Sequence, residues 1–275
     1  MENTVVKNPH IKTIAKSAFF IFITVLLLME LFLPTRPAIE GLSATYRTVR
    51  EPSDIKAVSG PLVAPIVYIG DFSFPESTIE EKKARFISLM LPTVLISKHK
   101  LSRQRERVKN DLGKNYLRGN ERKWLVQQVQ RFQADDYDDL LSKMAVHPTS
   151  IVLAQAALES GWGESNFFRN AHNVFGVWSF DSDEPRVKAS QTRQGKNIYV
   201  RQYPSLIESV DDYFLAIACG PYENFRQARL VDDPPEALLQ YLTKYSEQRE
   251  EYVKRLRQVI QANDLERFDT YELDF

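Results

Sequence analysis

The helix predicted between Pro148 and Gly161 places the strongest constraint on how this chain can fold. Its sequence is Thr-Ser-Ile-Val-Leu-Ala-Gln-Ala-Ala-Leu-Glu-Ser, with apolar side chains on nearly every side. A helix that is apolar all round is normally buried, so the rest of a domain must be wrapped around it. Glu159 nevertheless stands in the last turn of this helix, and a carboxylate is rarely buried without a partner.

The position of Glu159 favours a protonated carboxyl. Gly161 ends the helix, so Glu159 lies at the carbonyl end, where the helix macrodipole disfavours negative charge. Apolar neighbours such as Ala156 and Leu158 remove water and also raise a carboxyl pKa. A raised pKa suits a general acid near neutral pH. From the residues alone, two other roles stay open: a side chain that extends into solvent, and a cap for a nearby backbone amide.

Composition narrows the class of protein. Hydrophobic residues make up 43% of the chain and charged residues 26%, as in ordinary globular proteins. The formal net charge is zero, so the composition lacks the excess of positive charge that is typical of proteins that bind nucleic acid. The single cysteine, Cys219, excludes an internal disulfide, and the four scattered histidines show no metal-ligand spacing. We therefore expect chemistry without a metal or cofactor.

The N-terminal region predicts export. Residues 17–33 are apolar except for Ser17, Thr24 and Glu30, and Lys7, Lys12 and Lys16 precede them. At 1.5 Å per residue this segment spans about 25 Å, the lower limit for crossing a bilayer. The lysines would keep the N-terminus in the cytoplasm and place the rest of the chain outside. We expect an uncleaved signal anchor; the alternative is a cleaved signal peptide, although no strong cleavage site follows.

Patterns along the rest of the chain predict an α+β fold that is mostly helical. Ser77-Thr78 followed by Glu80-Glu81 starts a helix that Pro92 should kink or split. A turn-type cluster at 193–197 separates two strand-like runs, which predicts a β-hairpin. The predicted organisation is a cytoplasmic N-terminus (1–16), a signal anchor (17–33), a proline-rich tether (34–75), an accessory helical segment (76–140) and a main domain (141–275).

A series of motifs in the second half resembles a known family. They are Ala157-Leu158-Glu159-Ser160-Gly161-Trp162-Gly163, Asn173-Val174-Phe175-Gly176-Val177, Val200-Arg201-Gln202-Tyr203-Pro204-Ser205, Ser209-Val210-Asp211-Asp212-Tyr213, Tyr245-Ser246-Glu247 and Glu251-Tyr252-Val253. In this order they resemble the bacterial endo-β-N-acetylglucosaminidases that cut peptidoglycan. The likeness runs from about residue 142 to residue 263.

The resemblance implies a lysozyme-like helical fold with a β-hairpin beside a sugar-binding cleft. Glu159 would be the general acid. Tyr203 would lie near the cleft and orient water or an intermediate; the alternative is a hairpin aromatic packed on the core. The implied substrate is the glycan strand of peptidoglycan, with the domain in the periplasm and the N-terminal segment in the inner membrane. The sequence does not identify a protein partner. The residues expected to bind sugar are Trp162, Asn173, Phe175 and Trp178; for Phe175 a place in the core, and for Asn173 a role in fixing the adjacent turn, are the alternatives.

The hairpin departs from the family pattern because it lacks an acid. Many members carry a second carboxylate there, whereas residues 188–195 read Lys-Ala-Ser-Gln-Thr-Arg-Gln-Gly. Glycoside hydrolysis usually needs two carboxylates. An acid from the preceding loop (Asp181, Asp183 or Glu184) would supply the second, or the substrate's N-acetyl group would act instead, or the protein is slow or inert. Two rival functions follow: a lytic transglycosylase, which needs one carboxyl, and an inert peptidoglycan-binding protein.

Overall fold

The computed structural model describes residues 41–275 except 194 and 232–233, and helix α1 (Ile79–Leu112) organises this part of the chain. Its predicted start is confirmed: the Thr78 side chain accepts a hydrogen bond from the Glu81 amide, and the Glu81 carboxylate accepts one from the Thr78 amide. Pro92 does not end the helix. Residues 88–97 around this proline are all buried, so packing holds the helix together where one backbone hydrogen bond is missing.

Helix α4 (Thr149–Ser160) is the buried helix that the sequence predicts. Residues 149–157 are all buried. Helix α1 packs on α4, as do α9 (Glu250–Ala262) and the 3₁₀ segment Leu265–Thr270 near the C-terminus. Asp269 of that segment caps the start of α4, where its carboxylate accepts hydrogen bonds from the Ser150 amide and hydroxyl (2.8 and 2.7 Å).

The remaining helices complete the layer around α4. The capping box Ser205-Leu206-Ile207-Glu208 and the stop at Gly220-Pro221 predict a helix, and α6 begins after Ser205, whose hydroxyl accepts a hydrogen bond from the Ile207 amide, and ends at Gly220. The apolar stripe near the C-terminus predicts a helix over about residues 250–262, and α9 has these limits. The bounds of the other elements are α2 (Gly119–Arg131), α3 (Tyr137–Lys143), α5 (Asn166–Ala171), α6 (Leu206–Cys219), α7 (Glu223–Ala228), α8 (Pro235–Leu238) and the 3₁₀ segments Pro52–Asp54 and Leu239–Tyr245.

The strands form three small two-stranded sheets within the described residues. Strands β1 (Thr45–Val49) and β3 (Ile66–Gly70) pair in parallel, as do β2 (Leu62–Val63) and β6 (Glu272–Leu273). The predicted hairpin is confirmed as the antiparallel pair β4 (Arg186–Arg193) and β5 (Lys196–Arg201). The helix-rich α+β class is therefore confirmed.

The segment expected to be an extended tether is folded from residue 41 onwards. Val49, Val67, Tyr68 and Phe72 are almost completely buried and belong to the same hydrophobic core as α1 and α4. The prediction over-weighted the prolines, since the apolar residues between them bury enough surface to order the chain. The accessory segment 76–140 also contributes to this one core, because α1 packs on both α4 and α6.

The predicted membrane anchor at 17–33 and the N-terminus at 1–16 lie outside the described residues. Within residues 41–275, leaving aside 194 and 232–233, no helix combines the length and hydrophobicity needed to cross a bilayer.

Candidate active site

Glu159 lies where the buried helix α4 reaches the surface. Ala156, Ala157 and Ser160 are buried, whereas the Glu159 side chain is exposed. The chain then turns sharply, because residues 161–163 all have positive φ angles (61°, 61° and 82°). One of them is Trp162, for which this left-handed conformation is costly. Ser160 fixes the turn: its hydroxyl donates to the Ala156 carbonyl (2.6 Å) and accepts from the Gly163 amide (2.9 Å).

The environment of Glu159 raises the pKa of its carboxyl, as the sequence predicts. Desolvation on the side facing the protein is the largest influence. Two groups of α9 partly oppose it: the Tyr252 hydroxyl donates a hydrogen bond to the carboxylate, and the positive charge of Arg255 lies nearby. The Tyr245 ring stacks on Tyr252, with 5.4 Å between ring centroids, and closes the site from the adjacent 3₁₀ segment. The result is a carboxyl that holds its proton to higher pH than an ordinary glutamic acid.

The tyrosine that contacts Glu159 is Tyr252. Tyr203, predicted to lie near the cleft and orient water or an intermediate, makes other contacts. The Tyr203 hydroxyl donates to Asp212 (2.6 Å), and Arg201 also binds Asp212 (2.9 Å). This ion cluster joins the hairpin to α6, and burial together with Asp212 raises the Tyr203 pKa. The Tyr203 hydroxyl is therefore committed to a structural contact. Tyr252 lies in one of the motifs that carry the family resemblance, but the sequence gives no sign that it contacts Glu159.

Asn173 and Phe175 are parts of the core rather than of a sugar-binding surface. Asn173 is 1% exposed. Its amide group donates to the carbonyls of Val177 and Arg201 (3.0 and 2.8 Å) and accepts from the Val177 amide (2.9 Å). Phe175 is buried and stacks on the Tyr213 ring at 4.3 Å. Asn173 therefore fixes the adjacent turn and Phe175 fills the core, which are the alternatives that the sequence left open.

The two predicted tryptophans differ in their accessibility. Trp162 packs edge-on against Phe86 (5.5 Å), and the Lys83 ammonium lies over its ring (5.1 Å). Trp178 is 39% exposed and lies beside Phe180, which is 87% exposed, with 6.1 Å between ring centroids. Trp178 and Phe180 thus form an exposed aromatic pair, and Phe180 was not recognised from the sequence. Exposed aromatic faces of this kind suit contact with the apolar faces of sugar rings.

The acids considered as a second carboxylate are engaged elsewhere. Asp181 and Asp183 are exposed, and the Asp181 carboxylate accepts the Asp183 amide. Glu184 pairs with Arg201 (3.1 Å). Glu164 is half exposed, with Lys82 and Arg169 at 3.7 and 3.9 Å. The charged group that acts on the Glu159 pKa is the cation Arg255. Across the described residues, no cluster of three or more His, Cys, Asp or Glu side chains is arranged to hold a metal ion.

The sequence match that decides the family covers residues 134–265. This stretch matches the glucosaminidase family model, described as mannosyl-glycoprotein endo-beta-N-acetylglucosaminidase. Residues 134–265 are a glucosaminidase domain. The domain contains α4 with Glu159, the hairpin and α9 with Tyr252, so the residues that meet at the candidate site all belong to it.

Individual relatives match parts of the chain. This chain is 34% identical over 94 residues to Protein bax of Escherichia coli (34% of this chain, 32% of the relative). Exo-glucosaminidase LytG of Bacillus subtilis is 28% identical over 138 residues (47% and 49%). Peptidoglycan hydrolase FlgJ of Salmonella typhimurium is 32% identical over 93 residues (30% and 29%). The chain thus spans half or less of the length of these curated relatives.

Solved structures also match this chain. The catalytic domain of the autolysin Auto from Listeria monocytogenes gives a TM-score of 0.38 at 19% identity, covering 60% of this chain and 97% of that domain. The glycoside hydrolase domain of Salmonella typhimurium FlgJ gives 0.36 at 24% identity, covering 50% and 88%. The family assignment rests on the sequence match.

Proposed function

We propose that this protein is a peptidoglycan hydrolase that cleaves the β-1,4 bond between N-acetylglucosamine and N-acetylmuramic acid, with Glu159 as general acid. The observation that carries the proposal is the raised pKa of the Glu159 carboxyl inside the glucosaminidase domain. The names of LytG and FlgJ, an exo-glucosaminidase and a peptidoglycan hydrolase, point to the same substrate class. The proposal also includes a lysozyme-like cleft, in which the exposed pair Trp178 and Phe180 contacts the sugar rings.

The mechanism follows from one carboxyl with a raised pKa. In the first step Glu159 gives its proton to the glycosidic oxygen as the bond to the sugar breaks. The substrate's own N-acetyl oxygen stabilises the positive charge on the sugar by bonding to its anomeric carbon, because Glu159 is surrounded by Tyr252, Tyr245 and Arg255 rather than by a second acid. The ionised Glu159 then takes a proton from water as the water oxygen attacks the anomeric carbon and displaces the N-acetyl oxygen from it, which releases the free sugar and restores the protonated acid.

The same single carboxyl also supports a lytic transglycosylase. In that reaction a hydroxyl of the muramic acid attacks its own anomeric carbon, and Glu159 takes the hydroxyl proton, so no water is consumed. A third possibility is an inert protein that binds glycan strands through the aromatic pair. The three functions differ in product: a free reducing N-acetylglucosamine, a 1,6-anhydro-muramic acid end, and no cleavage.

The proposed location is the periplasmic side of the inner membrane, with the predicted anchor at 17–33 holding the domain near the wall. This location rests on the sequence pattern of the N-terminal region. Protease treatment of spheroplasts tests it, because a periplasmic domain is degraded without lysis and a cytoplasmic one is protected.

The decisive experiment incubates the full-length protein, purified in detergent, with peptidoglycan and identifies the new glycan ends by mass spectrometry. Glu159→Gln should abolish the formation of new glycan ends, because the neutral amide cannot act as the general acid. Glu164→Gln is the matched control, since Glu164 lies five residues away, is half exposed and pairs only with surface cations. Anhydro ends would establish the transglycosylase. Full activity of Glu159→Gln would refute the proposed acid.

A further inference from the structure

A largely buried arginine contacts the residues that precede α4, whereas Glu159 lies in the last turn of that helix. The Arg229 guanidinium donates to the backbone carbonyls of Ser142 and Lys143 (2.9 and 3.1 Å) and to the His147 ring (3.3 Å). Burial and the nearby Arg226 lower its pKa to about 9. In the described part of the chain, the hydrogen-bond partners of Arg229 include no carboxylate. A buried cation without a counter-ion is costly, so its presence calls for an explanation.

Arginine has only donors, and this fixes the orientation of the histidine beside it. Because Arg229 donates to Nδ1 of His147, that nitrogen must be unprotonated, and the ring proton must be on Nε2. Nε2 lies 2.8 Å from the Tyr213 hydroxyl and therefore donates to it. Complete burial, with Arg229 and Lys98 nearby, lowers the His147 pKa well below its usual range, so the ring is neutral.

The donor and acceptor of each hydrogen bond can be assigned in the same way from Tyr213 to Glu159. Tyr213 accepts from His147 and must give its own proton to the Gln155 side-chain oxygen (2.6 Å). The amide nitrogen of Gln155 then donates to the Tyr252 hydroxyl (3.1 Å). Tyr252 in turn donates to the Glu159 carboxylate. Gln155 precedes Glu159 by four residues on α4, so the two side chains lie on the same helix face.

We propose that Arg229, His147, Tyr213, Gln155 and Tyr252 form a directed hydrogen-bond relay that positions the Glu159 carboxylate and couples its charge to the buried Arg229 cation. All five bonds point the same way, from the cation to the carboxylate. Each donor polarises the next, so Tyr252 is a stronger donor than an isolated tyrosine. The three middle members, together with Tyr252, are at most 3% exposed, which keeps water from interrupting the relay.

The relay counteracts desolvation at Glu159. Desolvation favours the protonated acid, whereas a directed donor favours the carboxylate. A carboxyl that must give a proton in one step and take one in the next needs both forms to be accessible. The role of the five residues as positioning residues rests on the proposed function, but the hydrogen bonds and their effect on the charge of Glu159 do not.

The test measures the Glu159 pKa directly, independently of activity. The full-length protein is labelled with [¹³Cδ]glutamate, and the Glu159 resonance is assigned by its absence in Glu159→Gln and followed with pH. Tyr252→Phe should raise the Glu159 pKa, and Tyr213→Phe should raise it by less, although Tyr213 does not touch Glu159. Tyr222→Phe is the matched control, because Tyr222 belongs to the same aromatic cluster but not to the relay, and it should leave the pKa unchanged.

A second pair of variants removes the ambiguity of a folding defect. His147→Leu deletes the donor to Tyr213, while His147→Gln retains a side-chain N–H at a similar position. The relay predicts that the Glu159 pKa rises in His147→Leu and is restored in His147→Gln. In the wild type, ¹⁵N spectra should show neutral His147 with the proton on Nε2. The opposite tautomer, or a Glu159 pKa unchanged in Tyr213→Phe and His147→Leu, would overturn the relay.

Activity measurements then separate the two proposals. If Glu159 titrates as expected but no peptidoglycan is cleaved, the relay holds and the proposed function fails. If peptidoglycan is cleaved and the alkaline limb of the rate profile is the same in Tyr213→Phe as in the wild type, the function holds and the relay fails. With both correct, this limb moves to higher pH, because the general acid keeps its proton longer.

Discussion

Lys98 should make this protein more stable at alkaline pH than at neutral pH. The Lys98 ammonium donates to the Thr149 hydroxyl (2.8 Å) at the first turn of α4, where the helix macrodipole is positive. Burial lowers its pKa from 10.5 to about 8, although the nearby Asp269 carboxylate favours the charged form. The charged lysine is thus held in an unfavourable place, beside the start of the helix that carries Glu159.

The sign and size of the effect follow from the two pKa values. Below pH 8 Lys98 is charged in both folded and unfolded protein, and the native state bears the whole penalty. Between pH 8 and 10.5 the unfolded chain keeps a proton that the folded chain has lost, so stability rises with pH. A shift from 10.5 to about 8 corresponds to about 3 kcal/mol. Lys98→Met removes this penalty but leaves the Thr149 hydroxyl without its donor, which costs about 1 kcal/mol.

We therefore expect Lys98→Met to be about 2 kcal/mol more stable than the wild type at pH 7 and to lose this advantage by pH 10. Urea unfolding of both proteins at pH 7, 8, 9 and 10 measures the difference in their free energies of unfolding. Other titrating groups contribute equally to both proteins and cancel from this difference. Lys254→Met is the control, since Lys254 is exposed and forms only a surface ion pair. A difference between the wild type and Lys98→Met that stays constant from pH 7 to pH 10 would refute the argument.

Four further predictions concern stability and binding. Asp269→Ala removes both hydrogen bonds that cap α4 and should cost about 2 kcal/mol in urea unfolding, whereas Asp269→Asn should cost less. As pH falls below 6.5 the unfolded chain protonates at His147 and the folded one does not, so stability should fall by up to about 1.4 kcal/mol per pH unit, a slope that His147→Leu should reduce. Alanine at Trp178 and Phe180 should weaken glycan binding in pull-down assays while thermal unfolding stays unchanged; equal binding would exclude the aromatic pair. A chain that begins at Glu76 should be insoluble or unfolded by circular dichroism, and a folded product would contradict the single core.

Elements with a strong local signal were predictable. The limits of α9 follow from its apolar stripe, and the starts of α1 and α6 follow from Thr78 and Ser205, because capping depends on residues only a few positions apart. The hairpin follows from its turn residues. The fold of residues 41–75 was not predictable in this way. Strands β1 and β3 pair with each other across the turn and strand β2 that separate them, and their burial depends on α1, which lies later in the chain.

The candidate site was also predictable only in part. The raised pKa of Glu159 was predicted from its own helix, since desolvation and the macrodipole act within one element, whereas its role as general acid came from the family resemblance. Tyr252 was missed because its role depends on where α9 crosses α4, a distance of more than ninety residues along the chain. Tyr203 was chosen on family resemblance, and a short-range ion cluster with Asp212 accounts for its hydroxyl instead.

The limits of the glucosaminidase domain differ from the limits of the folded unit. The family match covers residues 134–265, but α4 is packed between elements that lie on both sides of this range. Helix α1 precedes it, and Asp269, which caps α4, follows it. Burying a large apolar side chain is worth about 1.5–3 kcal/mol, and α1 alone buries several against α4 and α6. A fragment cut at the family limits would lose more than the total stability of a typical domain, about 5–15 kcal/mol. The helix that presents Glu159 therefore depends on sequence that the family pattern does not include, and α1 belongs to the same folded unit as the glucosaminidase domain.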